Sequence, residues 1–277
     1  MIKVIATDLD GTLFYPKDKK QMICTPNLFL VQSFIDNGGK VLIASGRSID
    51  YGKKVMQTIG RDVAIIAYNG GVVFADNKIQ NSNCIPNSEA KLIINDAYEM
   101  FKNFGVFLMT EKGTSAHLRN KSKIVRKACT FYYQHMGVYT EDYLPDEKDF
   151  QEELENGKIF KLMIFFGLGR KQKRHAMEAN RIIRNSYENL EASWSDSVVE
   201  ISPRNCTKAN ALMQYCESHG YKTDEVAVVG DSGNDISMFK NFYQNSFCMG
   251  HAAPAVQKYA HYTLDKFEDL SRYLYKK

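Results

Sequence analysis

Asp8-Leu9-Asp10-Gly11-Thr12-Leu13 follows directly on the apolar run Val4-Ile5-Ala6, and that junction decides how the chain is read. A short β-branched run reads as a buried strand. Asp8 then falls where a parallel strand emerges from its sheet, the edge at which open α/β sheets bind ligands. Two carboxylates two residues apart, followed by a glycine that permits a tight turn, can act as nucleophile and acid/base around one metal ion.

Outward from this junction, strand and helix patterns alternate. The spacing predicts strands over 2–7, 40–44 and 63–67 and helices over 26–37 and 49–59. Asn69-Gly70-Gly71 turns into a further strand over 72–75. Such alternation implies βαβ units and a parallel sheet. The style changes from about residue 83. A helix over 88–104, strands over 106–110 and 115–118, and a helix over 121–136 lead into a polar, acidic loop over 140–155. A strand over 159–166, a basic helix over 172–187 and a hairpin around Trp194 and 198–201 follow. After Pro203 the βαβ style returns: a helix over 207–219, a strand over 226–229, a short helix over 235–240, a strand over 246–249 and helical turns over 254–259 and 267–275. The expectation is an α/β fold in which 1–82 and 202–277 form a core and 83–201 an inserted α+β domain.

Composition narrows the function classes. The chain has 277 residues, 44% of them hydrophobic, enough for a real core. Its formal charge of +4 is mild and does not argue for nucleic acid, though it would not repel a phosphorylated substrate. The six cysteines are scattered without a C-x-x-C pair, which suits a reducing compartment better than a disulfide framework or a zinc site. The apolar runs at 63–67 and 162–168 are far short of a membrane span. Asp8 and Asp10 interrupt the only apolar stretch near the start, so no secretory signal is read there and a cytoplasmic location is expected.

Three further stretches carry chemistry. Val226-Ala227-Val228-Val229-Gly230-Asp231-Ser232-Gly233-Asn234-Asp235 again puts a carboxylate at the end of a buried strand. Four carboxylates at one sheet edge would repel one another unless a cation sits among them, and oxygen-only ligation points to Mg²⁺ rather than zinc. Leu42-Ile43-Ala44-Ser45-Gly46-Arg47 ends a strand in a hydroxyl whose following N–H groups can hold a phosphoryl oxygen. Lys208 stands at the start of the helix after Pro203.

In this order, each at a strand end or a helix start, these signals resemble the haloacid dehalogenase (HAD) superfamily, and within it the type IIB, Cof-like phosphatases. The resemblance runs the length of the chain. It implies a Rossmann-like core with an α+β cap inserted after the third core strand. Carried over by position, Asp8 resembles the nucleophile that takes the phosphoryl group and Asp10 the acid/base. Asp8, the Asp10 main-chain carbonyl and Asp231 resemble the Mg²⁺ ligands, with Asp235 orienting the metal's waters or joining its shell. Ser45 matches the phosphoryl-binding hydroxyl and Lys208 the charge-offsetting lysine. Asn234 matches a group supporting the same pocket, and Arg47, Asn69 and Gly70 match positions lining the substrate entrance. Ala209 stands where a glycine is usual and His251 where an asparagine is usual, and the tail lacks the usual Asn/Asp-rich Gly-Val turn.

The implied activity is Mg²⁺-dependent hydrolysis of a small phosphorylated metabolite, a sugar phosphate before a nucleotide or cofactor phosphate, by a monomer or weak homodimer. Two alternatives stand beside it: a sugar phosphomutase and a non-catalytic sensor of a phosphorylated ligand. A dehalogenase is disfavoured, because dehalogenases of the superfamily lack the acid/base that Asp10 resembles.

Overall fold

The computed structural model describes residues 1–17, 20–101, 105–118, 143–144, 146–167, 169–195 and 197–274. The chain forms two compact units, one of Met1–Asn81 with Thr207–Lys277 and one of Ser82–Cys206.

The first unit is built on an eight-stranded sheet in the order β14-β13-β12-β1-β2-β3-β4-β5. Its strands are β1 Val4–Thr7, β2 Lys40–Ala44, β3 Ala64–Ala67, β4 Val72–Ala75, β5 Lys78–Ser82, β12 Val226–Gly230, β13 Ser246–Met249 and β14 Tyr262–Leu264. β1 lies at the centre, parallel to both neighbours, with Val4 opposite Val226 on one side and Lys40 on the other. Strands buried on both faces need apolar residues throughout, which is why β1, β3 and β12 show no polar alternation. The helix Lys208–His219 packs Ala209, Leu212 and Tyr215 onto the face that carries Val4, Ala6, Leu42 and Val228. Thr25–Asp36 lies against β2, and Ile49–Ile59 against β3.

The second unit has a six-stranded sheet, β10-β11-β9-β6-β7-β8. The strands are β6 Gly105–Thr110, β7 Gly113–Leu118, β8 Tyr143–Leu144, β9 Lys161–Phe165, β10 Leu190–Ser195 and β11 Val198–Pro203. Among the described residues, its pairings are antiparallel except β7 with β8. The helices Asn87–Met100, Glu147–Asn156 and Arg170–Ser186 share its core, with Ile93, Phe150 and Ile183 among Leu108, Leu162 and Val199. The architecture is α/β, a parallel-rich Rossmann-like sheet interrupted by an α+β unit, as the sequence predicts.

Three local expectations need correcting. The stretch read as a polar loop over 140–155 contains the helix Glu147–Asn156. Phe150 and Leu154 stand four apart on its buried side, and Glu147 and Asp149 sit in its first turn, where the helix dipole favours negative charge. The many acids masked that spacing. β5 was not expected, because Lys-Ile-Gln-Asn-Ser is polar; as an edge strand it has little to bury. Its turn residues Asp76 and Asn77 both have positive φ, a hairpin signal present in the sequence. The tail expected as helical turns also supplies β14, paired parallel to β13. The helix expected over 121–136 lies outside the described residues. Among the described residues, no helix is long and apolar enough to cross a membrane, and Cys24, Cys84, Cys206, Cys216 and Cys248 are free thiols.

Candidate active site

β1 delivers Asp8 at its C-terminal end, where its amide donates to the Val229 carbonyl of β12 at 2.9 Å. The chain then turns through Asp10 and Gly11 before Thr12 and Leu13 return to the core. Gly11 has φ of +82°, and a Cβ there would lie 2.3 Å from Asp231 Oδ2. Only glycine lets the two loops approach this closely.

β12 ends at Gly230, and Asp231 follows. Thr12 Oγ1 donates to Asp231 Oδ1 at 3.2 Å, which ties the two loops together. Ser232 and Asp235 form a capping box around the turn Gly233–Asp235. Asp235 Oδ2 accepts from the Asp231 amide at 3.0 Å and the Ser232 amide at 2.9 Å. Its other oxygen accepts from Lys208 Nζ at 2.7 Å.

Lys208 opens its helix because Thr207 caps it, the Thr207 hydroxyl accepting from the Asn210 amide at 3.1 Å. The lysine is fully buried, and its ammonium also donates to Asp8 Oδ1 at 2.6 Å. Asp8, Asp231 and Asp235 bring carboxylate oxygens within 4.8 Å of one another. Burial pushes the Asp8 carboxyl up to about 7; Lys208 pulls it back and Asp235 pushes it further. Burial and the Asp235 charge raise Asp231 in the same direction. For Lys208, burial works to lower its pKa, but Asp235 and Asp8 outweigh it and hold the ammonium protonated. One buried cation thus faces three acids, two of them raised in pKa. That imbalance, with hard oxygen donors only, fits a divalent cation.

β2 ends at Ala44, and Ser45, which follows, is 4% exposed and accepts from the Arg47 amide through its hydroxyl at 3.2 Å. Arg47 grips the Asp10 carboxylate with Nε at 2.8 Å and Nη2 at 3.0 Å, its guanidinium 4.7 Å from the Tyr51 ring centroid. Asn69 and Asn234 meet side chain to side chain at 3.1 Å, and Gly70 lies beside the Thr207 carbonyl. All ten residues singled out in the sequence thus lie in the first unit, around the C-terminal ends of β1, β2, β3 and β12. Sequence reasoning gave no role to Thr12, although it belongs to the first motif, nor to Ser232, although Ser232-Gly233-Asn234-Asp235 has the spacing of a capping box. His251 Nε2 stands 3.8 Å from Asp231 Oδ2 and its ring stacks on Tyr15, 4.0 Å between centroids. No sequence signal connects Tyr15 to this cluster.

A buried carboxylate at a parallel strand end is here paired with a buried lysine and two further acids. The description of haloacid dehalogenase-like hydrolases matches residues 5–271, and the chain belongs to that family. Within it, the chain is a phosphatase of the Cof-like kind. It is 26% identical over 252 residues to a 5-amino-6-(5-phospho-D-ribitylamino)uracil phosphatase of Bacillus subtilis, covering 86% of this chain and 85% of that protein. A phosphoglycolate phosphatase of Methanobrevibacter smithii is 19% identical, with 86% and 82% covered. A sugar phosphatase of HAD subclass IIB superposes with a TM-score of 0.71 at 20% identity, with 98% of each chain covered.

Proposed function

We propose that this phosphatase hydrolyses small phosphorylated metabolites, sugar or polyol phosphates foremost, with Mg²⁺ and through an aspartyl-phosphate on Asp8. The observation that carries the reading is the buried contact between Lys208 and Asp8 inside a cluster of three acids. A phosphate monoester is dianionic, so a carboxylate can approach it only where fixed positive charge screens the repulsion. Lys208 supplies part of that charge at Asp8 itself. Asp8, the Asp10 main-chain carbonyl and Asp231 would hold the metal. Asp235 has both oxygens engaged by Lys208 and by loop amides, which supports an orienting role more than direct ligation. When bound, Mg²⁺ supplies further charge screening at the phosphoryl group.

In the first step the Asp8 carboxylate bonds to phosphorus, the ester P–O bond breaks, and Asp10 gives its proton to the leaving oxygen. In the second, Asp10 takes a proton from the attacking water, whose oxygen bonds to phosphorus as the acyl-phosphate bond breaks. Asp8 and inorganic phosphate are released. Ser45 would hold a phosphoryl oxygen, and the Arg47 fork would aim Asp10. Arg47, Asn69, Gly70 and Asn234 would border the entrance. The unit Ser82–Cys206 would act as the cap that selects the leaving group, since every group with a role in the chemistry lies outside it. The ribityl phosphate named for the Bacillus subtilis relative supports a polyol or sugar leaving group. Free cysteines support a reducing cytoplasm.

The test is phosphate release from a panel of sugar, polyol, nucleotide and cofactor phosphates, phosphoglycolate and a simple aryl phosphate, with Mg²⁺ and with excess chelator. Metal-dependent release with sugar or polyol phosphates preferred is expected. Release from none of them, or undiminished release in chelator, contradicts the proposal.

A further inference from the structure

The turn Tyr68–Gly70 between β3 and β4 holds three consecutive residues at positive φ: Tyr68 at 53°, Asn69 at 58° and Gly70 at 112°. Tyrosine rarely adopts this conformation, and such backbone persists only where the surroundings over-determine it. The surroundings here are the active-site loops themselves. The Tyr68 amide donates to the Arg47 carbonyl at 3.0 Å, and the Asn69 amide to the Ser45 carbonyl at 2.9 Å. A Cβ on Gly70 would sit 2.4 Å from the carbonyl oxygen of Thr207, the cap of the Lys208 helix. The Asn69 side-chain oxygen accepts from Asn234 Nδ2 at 3.1 Å, and Asn234 accepts in turn from the Ser232 hydroxyl at 2.6 Å, next to Asp231. One three-residue turn therefore touches the Ser45 loop, the start of the Lys208 helix and the Asp231 loop.

We propose that Asn69 is a positioning residue whose contact with Asn234 sets the register between the loop that holds Ser45 and the loop that holds Asp231. This rests on the phosphatase reading of the same site. The Asn234 amide is engaged at both ends, donating to Asn69 and accepting from Ser232, so it is committed to the clasp. Asparagine suits the place because it tolerates left-handed backbone and carries a short polar group. The phosphoryl-binding hydroxyl and the metal-binding carboxylate come from different strands, and the turn Tyr68–Gly70 reaches both of their loops.

Two measurements test this. The first does not depend on activity: amide hydrogen exchange of metal-free wild type, Asn69→Gly and Asn234→Ala. Glycine accepts the left-handed backbone while removing the clasp from one side, and Asn234→Ala, which adds no backbone freedom, removes it from the other. Each variant should raise exchange about tenfold on both sides of the contact, in the turn 68–70 with the Ser45 loop 45–48 that it holds, and in the loop 231–235. A rise confined to the side that carries the substitution, 68–70 with 45–48 for Asn69→Gly or 231–235 for Asn234→Ala, overturns the proposal. The second is steady-state hydrolysis of an aryl phosphate by the two variants and their combination, well below their melting temperatures. Each single change should lower kcat about tenfold with KM within about threefold, and the double variant should be no worse than the poorer single one. Losses that multiply, or that fall on KM, would mean the two residues contact substrate separately. Unchanged kcat would mean they serve the fold alone. An inactive wild type would contradict the phosphatase reading while leaving the exchange result to decide the clasp.

Discussion

Lys208 Nζ lies 2.6 Å from Asp8 Oδ1 across 200 positions of sequence, and both side chains are buried. A lysine is buried this completely only when its charge is matched, and Asp235 completes the match at 2.7 Å. The contact joins the first strand of the fold to the helix that follows the inserted unit, so the site exists only once both ends of the first unit have assembled.

Replacing Lys208 with Met should therefore be costly. It strands two buried carboxylates, a change that destabilises by about 3–5 kcal/mol. Urea unfolding at neutral pH measures it. The deficit should shrink as pH falls and the carboxyls protonate. A loss below about 1 kcal/mol would show that water reaches the pair.

Asp8→Asn keeps the shape of the nucleophile and removes its charge. Turnover should fall by at least about a hundredfold while the circular dichroism spectrum of the folded protein is retained. Activity above about a hundredth of wild type would remove Asp8 from the covalent role.

The stability of the metal-free protein should fall as pH rises from about 4 to 7. The folded Asp8 carboxyl, raised mainly by burial to about 7, binds its proton more tightly than the same group in the unfolded chain, near about 3.9. The stabilisation from that proton is complete below the unfolded value and lost as pH climbs through the folded one. The difference in melting temperature between wild type and Asp8→Asn, followed across pH in chelator, isolates it. A difference independent of pH contradicts the assignment.

Mg²⁺ should raise the melting temperature of the wild type and not that of Asp231→Ala. A ligand at a hundred times its Kd stabilises by about 2.7 kcal/mol, well within the reach of calorimetry. Ca²⁺ should bind in competition and inhibit, because its looser and larger coordination shell displaces the attacking carboxylate. Equal activity with both ions would argue against a tight octahedral site.

Gly11→Ala should damage the metal site more than the fold. The added Cβ meets Asp231 Oδ2 at 2.3 Å, and φ of +82° strains any L side chain by about 1–3 kcal/mol. Mg²⁺ titration followed by calorimetry should show affinity weakened by about tenfold or more. Unchanged affinity would show that the Asp231 loop yields without consequence.

Much of this was legible beforehand because it depends on local order. Val4-Ile5-Ala6 has to be a buried strand, and a carboxylate placed just after it has to emerge at the sheet edge. Gly230 and Asp231 repeat that logic on β12, and Thr207 before Lys208 is a readable cap. The helix Glu147–Asn156 was hidden for a different reason: only Phe150 and Leu154 carry its apolar face, and composition drowned a two-residue signal. β5 and β14 are edge strands of the sheet, held by pairing with a neighbour, which leaves little mark on sequence pattern.

The sequence by itself determined the α/β class, the strand ends that carry Asp8, Ser45 and Asp231, and the helix start that carries Lys208. Periodicity, caps and glycine turns act over a few residues, so they can be read from a few residues. Only the tertiary structure decided that Lys208 divides its ammonium between Asp8 and Asp235, that Arg47 holds Asp10, and that the Asn234 amide donates to the Asn69 side chain. Those choices depend on which strands lie side by side and on how much water is excluded between them. Both are properties of packing across the whole sheet, and no short stretch of sequence contains them.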